Sequence, residues 1–240
     1  RITDRLMINV LPEGSPAAMS DDVALHRLDE LLIDSVDIHQ RSDVPYGMFL
    51  SGGIDSSVLL ALMARLNDDP VQAFTAGFSE TGVSDERVHA RVLANSVGAR
   101  YHEVEFNEDD FWSLLPACAL AMDDPAADYA MLPTFKLANT ARNAGLKVVL
   151  TGEGGDELFG GYGRYRRARR ARILGGQVMR ERGVFDGLGV LRQDSVQWRE
   201  AYSQTEINSQ TPGRTRLQAA QATDCADWLP NDLLNKLDRC

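Results

Sequence analysis

The sequence predicts an α/β protein built on a doubly wound parallel sheet and followed by a helical C-terminal portion. Short apolar segments alternate with segments of helical periodicity over about the first 150 residues. Two of the short apolar segments end in glycine-rich loops, and beyond residue 156 the sequence becomes polar, rich in arginine and without strand patterns. Strands that alternate with helices form parallel sheets whose two faces are covered by right-handed crossovers.

The first helix is predicted to begin after Ser20. Serine is a residue type that caps helix N-termini, and apolar side chains follow at helical spacing up to Val36. The first strand is predicted over residues 46–50, where an apolar run ends just before two glycines. Its following helix is predicted to run to Leu66, because an Asn-Asp-Asp-Pro segment then ends the helical pattern.

The middle of the chain repeats this alternation. A second strand is predicted over residues 71–78. The segment Ser84-Asp85-Glu86 is predicted to cap a helix that closes at Gly98. A third strand is predicted over residues 101–106, where the apolar residues alternate in part.

Two further helices and a fourth strand complete the predicted core. Residues 108–122 are predicted to be helical, with Pro116 forcing a break or a new first turn because proline lacks an amide hydrogen. The next helix is predicted to open at Pro133 and to stop at Gly145. Residues 147–150 are predicted to form a short, buried strand.

The composition is that of an ordinary soluble globular protein. The chain has 240 residues, 44% of them hydrophobic and 25% charged, which is enough for one large domain with a sizeable core. Its net charge of −10 argues against nucleic acid as a partner. No apolar run approaches the ~20 residues that cross a bilayer, and no signal peptide opens the chain. We therefore expect a cytoplasmic protein with no membrane partner.

Cysteine and histidine are too scattered for a zinc site or a disulfide framework. Cys118, Cys225 and Cys240 include no CxxC pair, which favours free thiols in a reducing compartment. Cys118 lies in an apolar segment and is interpreted as a small buried side chain rather than a nucleophile.

Changes in composition predict three segments along the chain. Residues 1–20 contain a Pro-, Gly- and Ser-rich stretch and begin without methionine, which is typical of a linker that follows a further N-terminal domain. Residues 21–163 are predicted to form the α/β core. Residues 164–240 are predicted to form the helical C-terminal portion.

The first glycine loop, residues 51–56, carries the strongest functional signal. A strand, a glycine turn and a helix start present backbone amides and a positive dipole end to an anion. The lysine of loops that hold a γ-phosphate is missing, and Asp55 stands in the loop instead. A carboxylate beside a phosphate requires a bridging divalent cation, so Asp55 implies Mg²⁺. The alternative is an ordinary turn with a capping serine or aspartate.

The second glycine loop, residues 151–162, follows the fourth predicted strand and is acidic. Glu153, Asp156 and Glu157 would repel a bare pyrophosphate, which argues against a dinucleotide-binding site of the Rossmann type. If strand order reverses between the first and fourth strands, both loops line one crevice, and Asp55 and Asp156 could share one metal ion. The alternative is a flexible acidic turn.

Four segments resemble motifs of the asparagine synthetases. Residues 49–57 resemble the SGGxDS pyrophosphate loop of ATP pyrophosphatases, and residues 42–47 resemble the SDVPxG lead-in of the asparagine synthetase branch. Residues 151–162 are similar to its (S/T)GEGxDExxGGY signature. Residues 123–134 are similar to its DEPxxD…PT segment, with Asp124 where glutamate is usual.

This resemblance covers about residues 28–165. It implies the PP-loop ATP-pyrophosphatase fold, which is adenine nucleotide α-hydrolase-like, and an ATP-dependent ligase. Family members bind ATP and Mg²⁺, convert the side-chain carboxylate of aspartate to an acyl-adenylate and release pyrophosphate. Ammonia then attacks the adenylate and gives asparagine and AMP.

The resemblance also implies roles for residues of both loops. Glu153 would manage protons when ammonia attacks, and Asp55 and Asp156 would hold Mg²⁺. The residues implied to bind ATP and pyrophosphate are Leu50, Ser51, Gly52, Gly53, Asp55, Ser56, Ala76, Thr151 and Gly152. Of these, Leu50, Ala76 and Gly152 would contact adenine and ribose through their backbone groups.

Glu153 favours asparagine synthesis within the superfamily, because related β-lactam-forming synthetases carry tyrosine there. Other amide-forming relatives retain glutamate, so an adenylating amide- or lactam-forming synthetase with another substrate stays an alternative. A nucleotide-binding module without catalysis is a second alternative.

The chain departs from the family pattern at both ends. Glutamine-dependent members begin with a glutaminase domain that supplies ammonia, so we expect that domain to be missing from the N-terminal side. The family continues into an SxExRxPFLD segment and a phosphate-contacting lysine, so the C-terminal portion is expected to be truncated. A homodimer is a possible assembly.

A basic run extends from Arg164 to Arg172. A solvated helix face or an intersubunit contact is favoured over a nucleic-acid or phosphate site, because the chain as a whole is acidic. Arg164 lies close enough in sequence to the second glycine loop to approach a substrate.

Overall fold

The chain folds into two compact units. The sheet unit comprises Met19–Glu153 and Asn235–Cys240, and the helical unit comprises Gly154–Leu234 with the described residues before Met19. The computed structural model describes residues 14–15, 17–78, 86–122, 128–176, 179–180, 188–189 and 197–240. Most of the predicted linker, residues 1–20, lies outside the described residues, and the three predicted segments stay a prediction.

The sheet unit is built on four parallel strands. They are β1 (Tyr46–Phe49), β2 (Gln72–Gly77), β3 (Arg100–Glu105) and β4 (Val148–Leu150). Their order in the sheet is β3-β2-β1-β4, and every neighbouring pair is parallel. The predicted parallel α/β class is confirmed, and each observed strand lies within one or two residues of its predicted bounds.

Helices connect the strands and continue into the second unit. Those of the sheet unit are α1 (Asp21–Gln40), α2 (Ile54–Leu66), α3 (Arg87–Ser96), α4 (Glu108–Met122), α5 (Met131–Asn143) and, from Asn235 on, α10 (Leu234–Arg239). Those of the helical unit are α6 (Gly155–Phe159), α7 (Gly163–Ala168), α8 (Gln197–Ser209) and α9 (Arg216–Thr223).

Local signals account for several helix ends. The Ser20 hydroxyl accepts a hydrogen bond from the amide of Val23 at 3.4 Å, which confirms the predicted cap of α1. Gly98 has a φ of +71°, a backbone conformation that suits glycine, and it closes α3 as predicted. Ser84 and Asp85 lie outside the described residues. The N-cap position of α3 belongs to Glu86, whose side chain makes no capping hydrogen bond.

Apolar side chains bury both faces of the sheet. Because neighbouring strand residues point to opposite faces, Ala73 and Phe74 enter different clusters. The first cluster joins β1 and β2 to α1, α2 and α3 through Val36, Met48, Leu60, Met63, Ala73, Ala90 and Ala94. The second joins β2 and β3 to α5 through Phe74, Val104, Leu137 and Ala141. Helices thus cover both faces, as predicted for a doubly wound sheet.

The prediction of a buried fourth strand is wrong. Val148 is 36% exposed, and Val149 and Leu150 are only partly buried. The reason is the position of β4, which pairs with β1 on one side and forms the edge of the described sheet. Apolar composition alone does not distinguish such a strand from a central one.

The predicted helix break at Pro116 is also wrong. α4 runs without interruption from Glu108 to Met122 with Pro116 inside it. The buried side chains of Cys118 and Met122, which follow the proline, pack with Leu132 of α5. This packing offsets the backbone hydrogen bond that a proline removes from a helix.

The helical unit contains no strand among its described residues, in agreement with the sequence. A ten-residue π-helical segment, Asp224–Leu233, continues α9 and includes Pro230. Long π-helical segments are rare and tend to occur at functional sites.

We expect Leu60→Ala to lower the free energy of unfolding by about 3–5 kcal/mol, because the side chain is buried and its removal leaves a cavity. Leu60 is 1% exposed in the first cluster, whereas Leu120 on α4 is 84% exposed. Leu120→Ala is therefore the matched control, and urea unfolding compares the two. Equal losses of stability would contradict the described core.

Candidate functional site

The two glycine loops begin at the same end of the sheet, where the parallel strands have their carboxyl ends. β1 and β4 are parallel neighbours, with Met48 opposite Leu150, so both strands end there. From β1 the chain continues to β2, which lies on the other side of β1 from β4. Strand order therefore reverses between β1 and β4, and the condition for a shared crevice is met.

Gly152 lies directly against the first turn of α2. A Cβ atom at this position would be 2.9 Å from the amide nitrogen of Ser56 and 3.3 Å from the Cβ atom of Asp55. Such distances leave no room for a side chain, so glycine is required for the close approach. The structure thus brings the start of the second loop into contact with Asp55 and Ser56 of the first.

The N-terminus of α2 has no side-chain cap. Gly53 occupies the N-cap position, and no side chain there accepts a hydrogen bond from the first turn. The N-cap residue is therefore neither a serine nor an aspartate, and the choice between an ordinary turn and a ligand-binding loop stays a prediction. A 13-residue helix with an uncapped N-terminus presents backbone amides and a positive dipole end.

Serine hydroxyls hold the first loop in shape. The Oγ atoms of Ser51 and Ser56 lie 2.8 Å apart, and the Ser56 hydroxyl also lies 3.0 Å from the carbonyl of Ser51. The amide of Gly53 donates to Ser51 Oγ at 3.2 Å. Ser56 is only 4% exposed. These bonds fix the backbone that would surround an anion.

A carboxylate already occupies one donor of the loop. The amide of Gly52 donates to Oε2 of Glu86 at 2.9 Å. A carboxylate is a stand-in for a phosphate oxygen, so the contact shows that this amide can bind an anion. The sequence gives no signal for this contact, because Glu86 stands 34 residues from Gly52 and within the predicted cap of α3.

Two of the residues implied to contact adenine and ribose through their backbone groups lie at the same carboxyl end of the sheet. Leu50 follows β1 and Ala76 lies near the end of β2. The amide of Leu50 donates to the carbonyl of Phe74 at 2.9 Å, and its carbonyl accepts from the Thr75 hydroxyl at 2.7 Å. The carbonyl oxygen has a second lone pair for a ligand.

Glu153 belongs to a cluster with Asp128 and Lys236 in the sheet unit. The Lys236 ammonium lies 2.7 Å from Oδ2 of Asp128 and 3.6 Å from Oε1 of Glu153. The Lys236 side chain is only 4% exposed, whereas Glu153 is 31% exposed. Sequence reasoning missed Lys236, because it stands 108 residues from Asp128 and in no recognised motif. Asp123 to Ala127 of the same predicted motif lie outside the described residues.

Asp156 belongs to the helical unit, and its carboxylate packs against the backbone of a glycine. A Cβ atom at Gly161 would be 1.8 Å from Oδ1 of Asp156, so the carboxylate lies directly over the Gly161 backbone. Because Asp55 belongs to the sheet unit, the metal site shared by Asp55 and Asp156 stays a prediction. Among the described residues no three His, Cys, Asp or Glu side chains are grouped to hold a metal ion.

A phenol pairs with a buried carboxylate inside the second loop. The Tyr162 hydroxyl donates to Oε1 of the fully buried Glu157 at 2.8 Å. Burial, together with the neighbouring Glu157 carboxylate, raises the pKa of Tyr162 above its ordinary value. Tyr162 therefore remains a protonated donor at neutral pH.

Arg164 has a structural partner within the helical unit. Its Nε and Nη2 atoms donate to Oδ2 of Asp224 at 3.0 and 2.7 Å, and its guanidinium lies 3.9 Å from the ring centre of Tyr162. The Tyr165 hydroxyl donates to the same Asp224 oxygen at 2.7 Å. The other described arginine side chains of the run are exposed, as expected for a solvated face: Arg166, Arg167, Arg169 and Arg170.

The predicted burial of Cys118 is confirmed. All three cysteines are free, and Cys118 is fully buried. Burial raises the pKa of the Cys118 thiol and the pKa of the Cys225 thiol, the latter to about 11. Both thiols are therefore protonated at neutral pH, which argues against a nucleophilic role.

The comparison with protein families agrees with these motifs. The family model described as asparagine synthase matches residues 27–240. This chain belongs to the asparagine synthase family. The resemblance that the four motif segments carry is thereby confirmed at the level of the family.

Several curated proteins resemble the chain over part of its length. A Mycobacterium tuberculosis protein, provisionally named as a glutamine-hydrolysing asparagine synthetase, is 43% identical over 65% of this chain and 24% of its own length. Asparagine synthetase (glutamine-hydrolysing) 1 of Bacillus subtilis is 36% identical over 63% of this chain and 23% of its own length. Amidase chyE of Penicillium rubens is 33% identical over 62% of this chain and 24% of its own length. The chain thus spans about a quarter of the length of these relatives.

A solved structure is similar to part of the chain. The NH3-dependent NAD synthetase of Campylobacter jejuni matches 57% of this chain and 60% of its own, at 20% identity and a TM-score of 0.38. That score is too low to carry an argument. No helix of the described residues is long and apolar enough to cross a membrane.

We expect Gly152→Ala to lower the free energy of unfolding by about 1–3 kcal/mol, because the new methyl group must push the first turn of α2 away. Urea unfolding and hydrogen exchange of the amides at the start of α2 measure the effect. Gly163→Ala is the matched control, since no heavy atom lies within 4 Å of its added Cβ. Unchanged exchange at Ser56 in Gly152→Ala would contradict the described contact.

Proposed function

We propose that this chain is the synthetase part of an enzyme that makes asparagine from aspartate, ATP and ammonia. The carboxylate of aspartate attacks the α-phosphate of ATP, a P–O bond forms, and pyrophosphate leaves. Ammonia then attacks the acyl carbon, AMP leaves and a proton is released. The observation that carries this proposal is the contact of Gly152 with the uncapped start of α2, because it joins the two motif loops of the family.

The first loop would bind the pyrophosphate that leaves. Its donors are the amides at the start of α2 and the hydroxyls of Ser51 and Ser56, held in place by the bonds among them. The amide of Gly52 binds the Glu86 carboxylate, and the same donor would bind a phosphate oxygen once Glu86 moves aside. Fixed donors of this kind stabilise charge that develops on a leaving group.

Asp55 and Asp156 would hold Mg²⁺. Carboxylates are the oxygen ligands that Mg²⁺ prefers, and phosphate oxygens complete such sites. When bound, Mg²⁺ would neutralise charge on the phosphates. The backbone groups of Leu50, Ala76 and Gly152, together with Thr151, would contact the rest of ATP.

Glu153 would accept a proton from the attacking ammonia. It stands next to Gly152, directly after the residues that contact α2, and its carboxylate is partly exposed. A carboxylate base close to the acyl carbon removes the proton that the new amine must lose.

The ammonia would come from glutamine in the full-length protein. The relatives from Mycobacterium tuberculosis and Bacillus subtilis are named as glutamine-hydrolysing, and a glutaminase domain on the N-terminal side of this chain would serve that purpose. We also propose a cytoplasmic enzyme and a homodimer as its assembly.

The full-length protein is expected to convert aspartate, ATP·Mg²⁺ and ammonium to asparagine, AMP and pyrophosphate in equal amounts. Glu153→Gln should lower asparagine formation by about 10²–10⁴-fold, because the base is lost. Aspartate-dependent pyrophosphate release should persist, because that step needs no such base. Chromatography of asparagine and a pyrophosphate assay measure the two steps. If aspartate causes no release of AMP or pyrophosphate, the proposed substrate is wrong.

The metal-site proposal predicts that Asp55→Ala and Asp156→Ala each weaken the binding of ATP·Mg²⁺, by roughly tenfold for the loss of one charged ligand. Isothermal calorimetry with and without Mg²⁺ measures this change. Asp29→Ala is the control, since Asp29 is exposed and pairs with Arg65 on the surface. Unchanged Mg²⁺-dependent affinity in both site variants would refute the shared metal.

Glu86→Gln is expected to have the opposite effect in the same assay. Loss of its negative charge removes a competitor for the Gly52 amide, so ATP should bind more tightly, by about 1 kcal/mol or fivefold. Weaker binding in this variant would instead make Glu86 part of the ligand site.

A further inference from the structure

Lys236 is a buried cation beside the proposed base. Its side chain is 4% exposed, and the ammonium lies between Oδ2 of Asp128 at 2.7 Å and Oε1 of Glu153 at 3.6 Å. All three residues belong to the sheet unit. The cluster therefore joins α10 to the end of β4 through side chains alone.

Asp128 anchors this lysine. Its other oxygen, Oδ1, accepts a hydrogen bond from the amide of Ala130 at 2.9 Å, and its side chain is 15% exposed. A buried ammonium is costly unless it is paired, and the short contact with Asp128 supplies the pair. Lys236 thus has a fixed position that does not depend on Glu153.

Glu153, in contrast, stands on a backbone that gives its side chain little support. It lies between Gly152 and Gly154, and Gly154 has a φ of +98°. Glycines on both sides leave the carboxylate without neighbouring side chains along the chain to limit its rotamers. Lys236 attracts one carboxylate oxygen, Oε1, and thereby directs the carboxylate as a whole.

We propose that Lys236 is a positioning residue for Glu153 in the amide-forming step, with Asp128 as its anchor. Lys236 holds Oε1, so that Oε2 faces the attacking ammonia. This inference rests on the proposed function, because it assigns Glu153 to the second step. Adenylation of the carboxylate does not use Glu153, so loss of Lys236 should affect one step and leave the other.

Lys236→Met in the full-length protein tests this inference, since methionine keeps the length of the side chain and removes the charge. We expect kcat for asparagine formation to fall by about 10- to 100-fold, the range that a misplaced catalytic group costs. Aspartate-dependent exchange of labelled pyrophosphate into ATP should stay within about twofold of the unmodified protein. Lys236→Arg should recover part of the lost kcat, because a guanidinium can pair with both carboxylates.

Two further variants separate positioning from folding. Lys236→Met removes the cation that neutralises Asp128 and should lower stability. Asp128→Asn combined with Lys236→Met removes both charges and should recover stability without recovering kcat. Lys136→Met is the matched control. Lys136 also forms a lysine–aspartate pair, with its Nζ atom 2.5 Å from Oδ2 of Asp110. Lys136→Met should leave the ratio of the two steps unchanged.

The outcomes distinguish this inference from the proposed function. If Lys236→Met lowers pyrophosphate exchange and asparagine formation equally, or if the double variant recovers kcat, Lys236 has only a structural role and the inference is overturned. If the unmodified protein shows no aspartate-dependent exchange, the proposed function falls and this inference falls with it.

Discussion

The close approach of Gly152 to the first turn of α2 is the constraint on which the candidate site depends. The pairing of β1 with β4 brings the two strand ends together, with Met48 opposite Leu150. The missing side chain at Gly152 then allows the second loop to reach Asp55 and Ser56. A single methyl group at this position would separate the loops, since its nearest neighbours are backbone atoms that cannot rotate away.

The first loop lacks the N-cap side chain that usually stabilises the start of a helix. A serine or aspartate at the N-cap typically contributes ~1 kcal/mol to a helix, yet Gly53 occupies that position in α2. The loop is supported instead by the hydroxyls of Ser51 and Ser56. Glu86 reaches the Gly52 amide from outside the loop and satisfies it without filling the cap position.

Glu153 likewise stands on a glycine-rich loop and is contacted by a side chain from another element. The carboxylate stands on a glycine-flanked turn, and its orientation comes from Lys236, which α10 supplies. A carboxylate on such a turn needs a second group to fix its orientation. In the helical unit, Asp224 has a comparable role, since it gathers Arg164 and Tyr165 around one oxygen.

Several parts of the fold and of the site could be predicted because their signals are local. The cap at Ser20, the closing glycine of α3 and the alternation of strands and helices depend on neighbours within a few residues. The burial of β4 and the continuity of α4 through Pro116 could not be predicted, because both depend on packing between distant elements. The family could also be predicted, since the order of the motif segments along the chain is specific.

The sequence by itself determined the α/β class, the two glycine loops and the resemblance to the asparagine synthetases, because each of these is written in consecutive residues. Only the tertiary structure decided which groups meet. It placed Gly152 against Ser56, the Glu86 carboxylate on the Gly52 amide, and Lys236 beside Glu153. The physical reason is that these contacts join residues far apart in the chain, and burial and charge pairing act on distances in space rather than on spacing in sequence.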